Sequence, residues 1–309
     1  MKVYFDPSSL TAKEIYQVIF NFRRLAMPSR VAIVTGGNKG IGYAIVRGLA
    51  KQFTGDVFLT ARDAGRGMAA VSELLEKEKL KVHFHQLDIN DTDSIQRLHD
   101  FMKQNYEGID VLVNNAGIAF KNAATESMGV QAEVTIKTNF YAVKSTCDIL
   151  FPILKPGARV VNLSSSAGWL KQLQGRLESK ELLDKFASSG STLTVKELED
   201  MMEQFIAAAK DGTAKEKGFP GSTYATSKIG LSALSRIQQQ EFDKDPNSDL
   251  VVNHVHPGYV DADMTSHKGP LTIDEGAKSS LFAALLPPLT EVKGQYIWED
   301  CQVRDWING

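Results

Sequence analysis

Short apolar runs alternate with stretches of helical period along most of this chain. Val31-Ala-Ile-Val-Thr35 shows no polar alternation, the pattern of a strand covered on both faces. Asp56–Thr60, Val82–Leu87, Asp110–Val113, Arg159–Leu163, Leu250–Val255 and Gln295–Trp298 complete the series of strand-like segments. Between them apolar residues return every three or four positions, as in Ile45, Val46 and Leu49, in Val134, Ile136, Phe140 and Val143, and in Ile229, Leu231, Leu234 and Ile237. A further helix is expected over 274–286. Strand and helix in turn predict an α/β fold, with a doubly wound and mostly parallel sheet of seven strands.

Two segments fall outside that rhythm. Residues 1–29 carry Ile15, Val18, Ile19, Phe22 and Leu25 at helical spacing beside Lys13, Arg23 and Arg24, and Pro28 closes the run. Asp6 and Glu14 are unlike a mitochondrial presequence, so an N-terminal extension with a short helix is expected ahead of one domain over 30–309. An insertion spans about 169–220. It holds Leu177, Leu182, Leu183 and Phe186, then a capping box at Thr194-Val-Lys-Glu197 that opens a run through Leu198, Met201, Met202 and Phe205. The Met and Phe stripe reads as packing surface.

Composition narrows the function classes. With 43% apolar residues in 309, the chain can bury a substantial core. A net charge of -2 argues against a nucleic-acid surface, and no apolar run has the length of a membrane span. Cys147 and Cys301 lack metal spacing and make no disulfide framework, which fits a reducing compartment and a cytoplasmic protein. His83 with His85, and His254 with His256, alternate on strands, but no further ligands accompany them, so no metal is expected.

The chemistry begins after the first strand. Gly36-Gly-Asn38-Lys39-Gly40-Ile41-Gly42 leads straight into a helix, so backbone N–H groups and the helix N-terminus converge where a pyrophosphate binds. Read alone the glycines make a tight turn; in strand–loop–helix context they mark a Rossmann-type nucleotide site. About 20 residues past the last glycine, where an NAD-type site places an acid, stands Arg62. With Lys39 it offers two cations to a 2′-phosphate, which points to NADP. Asp88 and Ile89 border the adenine, and the small residues of Asn114-Asn115-Ala116-Gly117 allow close approach of backbone to ligand. Asn139 lies in an apolar stripe and requires buried partners. Ser164, Ser165 and Ser166 end the fifth strand, where a hydroxyl can hydrogen-bond a carbonyl oxygen. Tyr224 and Lys228, four apart, share a helix face. The ammonium is expected to pull the phenol below its ordinary pKa, towards the range of a general acid.

Taken together, Thr35-Gly36-x-x-x-Gly40-x-Gly42, Asn114–Gly117, Asn139, Ser165, Tyr224-x-x-x-Lys228 and Pro257-Gly258 resemble the short-chain dehydrogenase/reductase family. Thr60–Asp63, Phe84–Ile89, Val111–Phe120 and the long insertion are similar to the NADPH-dependent cytosolic carbonyl reductases within it. The resemblance implies reduction of ketones, aldehydes and quinones with NADPH. Tyr224 would be the proton donor and Lys228 would tune it and hold the nicotinamide ribose. Ser165, the second of the three serines, would orient the carbonyl, and Asn139 would support a water relay. It adds Pro257, Gly258 and Val260 to the cofactor site. Phe120, Lys121, Gln131 and Tyr259 join Ser165 as substrate contacts, with glutathione adducts among the ligands. The insertion implies a monomer. Two alternatives stay open: an alcohol or steroid dehydrogenase of the same family, and a non-catalytic NADPH-binding regulator. The chain departs from the family at Ala262, where a threonine is usual, and at Asp261, where a relative can carry a cation.

Overall fold

Val31 and Ile33 pack into one apolar cluster while Ala32 and Val34 pack into another, which is why the first strand shows no alternation. This computed structural model describes residues 29–121, 123–173 and 179–309. The helix expected within 1–29, and Leu177 of the insertion, lie outside the described residues.

The strands are β1 (Val31–Val34), β2 (Asp56–Ala61), β3 (His83–Gln86), β4 (Ile109–Asn114), β5 (Leu154–Leu163), β6 (Val251–Val255), β7 (Tyr296–Ile297) and β8 (Val303–Arg304). They form one sheet in the order β3-β2-β1-β4-β5-β6-β7-β8. The first seven run parallel, as expected. An eighth, two-residue strand pairs antiparallel with β7 and corrects the expected count of seven. Both its residues are exposed, so no apolar pattern marks it.

The helices used below are α1 (Gly40–Gln52), α2 (Ala64–Glu78), α3 (Thr92–Tyr106), α4 (Met128–Ile136), α5 (Ala142–Leu150), α6 (Lys180–Ala187), α7 (Val195–Lys210), α8 (Thr223–Phe242) and α9 (Ile273–Ala284). Helices α1, α2 and α9 cover one face of the sheet. Residues of α3, α5 and α8 cover the other. The insertion adds a third layer there: Leu182, Phe186, Leu198, Met201, Met202 and Phe205 bury against Ala132 and Ile136 of α4 and Ile229 and Ala233 of α8. The expected capping box opens α7, with Thr194 and Glu197 each satisfying the other's backbone N–H. Strand order reverses between β1 and β4, and such a switch point opens a ligand crevice at the carboxyl ends of the strands.

Candidate active site

Loops leaving the carboxyl ends of the strands enclose a cavity of about 850 Å³, lined by Ser165, Tyr224, Lys228 and Pro257 among others. Ser222 caps α8 by accepting from Ala225 N–H at 3.2 Å, which places Tyr224 in the first turn and Lys228 one turn on. Lys228 Nζ lies 5.7 Å from the centre of the Tyr224 ring and donates to the carbonyl of Leu163 at 2.6 Å. Burial lowers its pKa to about 8. Tyr224 does not follow the expected downward shift. Burial raises its pKa, and the hydrogen bond with Ser165 only partly opposes that. Burial of the phenol therefore dominates over its one polar partner.

The three serines separate cleanly. Ser164 turns inward, 2.7 Å from Ser232 Oγ and 3.2 Å from the Lys228 carbonyl it donates to. Ser166 N–H donates to His256 Nδ1 at 3.0 Å. Ser165 is the one whose hydroxyl reaches Tyr224. Tyr296 fixes its backbone, donating to the Ser165 carbonyl at 3.0 Å.

Asn139 is fully buried in a single π-helical turn, Lys137–Tyr141, that joins α4 to α5. Its Oδ1 accepts from Ile118 N–H at 2.8 Å, and its Nδ2 donates to Ile118 O at 2.9 Å and Ser227 Oγ at 3.0 Å. Ser227 in turn donates to the Tyr224 carbonyl at 2.7 Å. A Cβ on Gly117 would come within 3.2 Å of Asn139 Oδ1 and 3.7 Å of Lys228 Nζ, so that glycine separates amide from ammonium.

The glycine loop meets the turn after β4. Thr35 Oγ1 accepts from both Asn115 N–H and Ala116 N–H at 3.0 Å, and Asn115 Nδ2 donates to Thr35 O at 2.8 Å and Gly36 O at 3.1 Å. Gly36 and Gly40 take positive φ, and a Cβ on Gly42 would lie 2.3 Å from Asn115 Nδ2. Asn38 sits in the same loop between them. Ile41, Asn115 and Gly117 line the cavity with Pro257, Gly258 and Val260 on its far side. Arg62 is exposed at the end of β2, and neighbouring Asp63 is committed to capping α2 through Arg66 N–H. Asp88 and Ile89 follow β3, with Asp88 Oδ1 accepting from Asn90 N–H at 2.9 Å. Lys39 is ion-paired with Asp263 at 2.6 Å, across the mouth of the cavity. The residues present fit a dinucleotide carrying a 2′-phosphate: an open glycine cradle, an exposed guanidinium and, among the described residues, a neighbouring acid already engaged in capping.

Of the expected substrate contacts, Phe120, Lys121 and Tyr259 line the cavity with Ser165. Gln131 does not; its amide donates to Glu126 O at 2.9 Å and ties down the loop before α4. Lys121 reaches over the cavity to Asp263 O and to Ser266 Oγ at 3.0 Å. Sequence reasoning missed Thr265, which lines the cavity and caps the turn after Ala262, donating to Val260 O at 2.6 Å. It also missed Glu299, carried to the cavity wall by the end of β7. No local motif marks either one.

The family model described as short chain dehydrogenase matches residues 30–177. Carbonyl reductase (NADPH) 3 of Mus musculus is 46% identical over 280 residues, covering 90% of this chain and 99% of that protein. The chain belongs to the short-chain dehydrogenase family. Carbonyl reductase (NADPH) 1 of Homo sapiens is also 46% identical, over 89% of this chain and 98% of its own length. Among solved family structures, salutaridine reductase from Papaver somniferum superposes with a TM-score of 0.77 at 31% identity, covering 88% of this chain and all of that one.

Proposed function

We propose that the protein is an NADPH-dependent carbonyl reductase that reduces ketones, aldehydes and quinones. The carrying observation is the hydrogen bond between Tyr224 and Ser165 within a cavity that also holds Lys228. The identity of nearly half the residues with curated carbonyl reductases supports the reaction and the cofactor.

When bound, the cofactor supplies a hydride to the carbonyl carbon. Every other part of the chemistry belongs to the chain. Ser165 Oγ orients the carbonyl oxygen, and Tyr224, protonated because burial disfavours its phenolate, donates the proton that the nascent alkoxide takes. Lys228, with its charge next to the phenol, stabilises the phenolate left behind. Asn139 holds the Ile118 and Ser227 backbone and hydroxyl groups around that pair, which supports its role at the far end of the proton path. Arg62 and Lys39 would hold the 2′-phosphate, Asp88 and Ile89 would border the adenine, and Phe120, Lys121 and Tyr259 would receive the substrate.

The reading extends to a monomeric, cytoplasmic enzyme. Insertion helix α7 occupies the outer side of α4, and both cysteines are free, Cys147 being buried. No described helix is long and apolar enough to cross a membrane. Steady-state reduction of menadione with NADPH tests the function, and sedimentation tests the monomer. Loss of turnover in a folded Tyr224→Phe supports the assigned acid. Unchanged turnover, or a tenfold preference for NADH, overturns the reading; tight NADPH binding without reduction of any carbonyl favours the regulator.

A further inference from the structure

His256 leaves β6 and turns its ring into the cavity wall, buried to 6% exposure against Trp298 at 4.3 Å. Its Nδ1 accepts from Ser166 N–H at 3.0 Å and from Gly258 N–H at 3.4 Å. A ring nitrogen that accepts twice carries no proton, so the hydrogen sits on Nε2. Nε2 lies 3.4 Å from Glu299 Oε2. Gly258 makes room for this carboxylate, since a Cβ there would stand 2.5 Å from the same oxygen.

Glu299 is the one carboxylate among the described residues of the cavity lining. His256 is its only ion-pair or hydrogen-bond partner among the described residues. Burial lowers the His256 pKa to about 4, so at neutral pH the imidazole orients the carboxylate without cancelling its charge. Three lysines, Lys121, Lys228 and Lys268, line the cavity, and none forms an ion pair with Glu299 among the described residues. Lys228 is buried and bonded to Leu163 O, and Lys121 is bonded to oxygens of the loop at the mouth. A charge half-withdrawn from water and lacking a counter-ion favours a ligand that brings one.

The geometry points to Glu299, oriented by His256, as a specificity residue that selects carbonyl substrates bearing a protonated amine. The inference rests on the carbonyl-reductase reading. The ketone group meets Tyr224 and Ser165 while the ammonium group meets the Glu299 carboxylate, one imidazole ring away from the serine turn.

Three phenyl ketones of like size test it: 3-(dimethylamino)propiophenone, its carbon isostere 4-methyl-1-phenylpentan-1-one, and the anion 4-oxo-4-phenylbutanoate. The amine is expected to show at least a tenfold higher kcat/KM than the isostere in the wild-type enzyme, through KM rather than kcat. In Glu299→Gln that ratio is expected to collapse towards one. Equal ratios in the two chains, or a wild-type preference for the anion, which would place recognition at Lys121 and Lys268, overturn the proposal. Calorimetric titration of the wild-type protein with the amine and the isostere gives the same ranking without turnover and without a variant that must fold. Failure of all three ketones and of menadione to turn over, with the amine still bound more tightly, counts against the reductase and leaves the subsite standing.

Discussion

Lys228 donates to the carbonyl of Leu163 at 2.6 Å, which ties the second turn of the catalytic helix to the last residue of β5. Burial lowers the lysine pKa to about 8, so from there up to the ordinary lysine value the folded chain binds less proton than the unfolded one. Stability is therefore expected to rise with pH across that window. Holding the charge at neutral pH costs on the order of 3 kcal/mol. Lys228→Met is expected to keep or raise Tm while lowering kcat at least ~100-fold. Calorimetry beside a pH–rate profile checks both, with wild-type kcat/KM falling as pH passes about 8. A variant that melts earlier would show that the Leu163 bond outweighs desolvation.

Burial holds Tyr224 protonated, with the Ser165 hydrogen bond working against it. Tyr224→Phe is expected to lose roughly 10²- to 10⁴-fold in kcat, and Ser165→Ala about tenfold or more. Because the two share one hydrogen bond, the double variant is expected to be little worse than Tyr224→Phe alone. Pre-steady-state turnover of the four chains gives the coupling; simple additivity would mean the two residues act separately.

Arg62 and Lys39 are expected to divide the recognition of the 2′-phosphate unequally. Arg62 is exposed and has no ion-pair partner among the described residues, whereas Lys39 is paired with Asp263 at 2.6 Å. Arg62→Ala is expected to weaken NADPH about tenfold or more while leaving NADH alone, the scale of a charge-assisted hydrogen bond. Asp263→Asn releases Lys39, and as an exposed pair is worth about 0.2–1 kcal/mol, NADPH is expected to tighten no more than about fivefold. Fluorescence titration at two salt concentrations resolves both.

At the opposite end of the sheet Arg159 is buried and donates to Asp249 Oδ2 at 3.0 Å, Asp249 O at 2.7 Å and Pro287 O at 2.7 Å. Burial pushes the Asp249 carboxyl up, but the Leu289 N–H and Arg159 together hold it below the usual range. Its stabilisation is present above the unfolded carboxylate pKa and is lost as pH falls through the folded one. Asp249→Ala strands the guanidinium and is expected to cost about 3–5 kcal/mol in urea unfolding, with turnover per folded molecule retained. A cost under about 1 kcal/mol would mean that the carbonyls alone satisfy Arg159.

The sheet was legible because β1 is apolar on both faces, because β4 and β6 carry the apolar runs Val111–Val113 and Val251–Val252, and because the glycine loop falls between a strand and a helix. Tyr224 and Lys228 were legible as a helix pair, but the direction of the phenol's pKa was not. That depends on how deeply tertiary packing buries the ring, which outweighs its hydrogen bond with Ser165. Gln131 illustrates the opposite limit, since a position carried over by resemblance is committed here to Glu126 O. Glu299 and Thr265 reach the cavity by tertiary placement, and β8 is two exposed residues with no pattern to read.

The turn that carries Asn139 holds more residues than an ordinary helical turn. Deleting one residue between 137 and 141 would restore regular winding and leave α4 and α5 close to their present phases. The amide would then swing off Ile118 and Ser227 while the apolar stripe of α5 stayed in its groove. Loss of a single codon from this turn would thus keep the architecture while unseating the amide that supports the reacting pair.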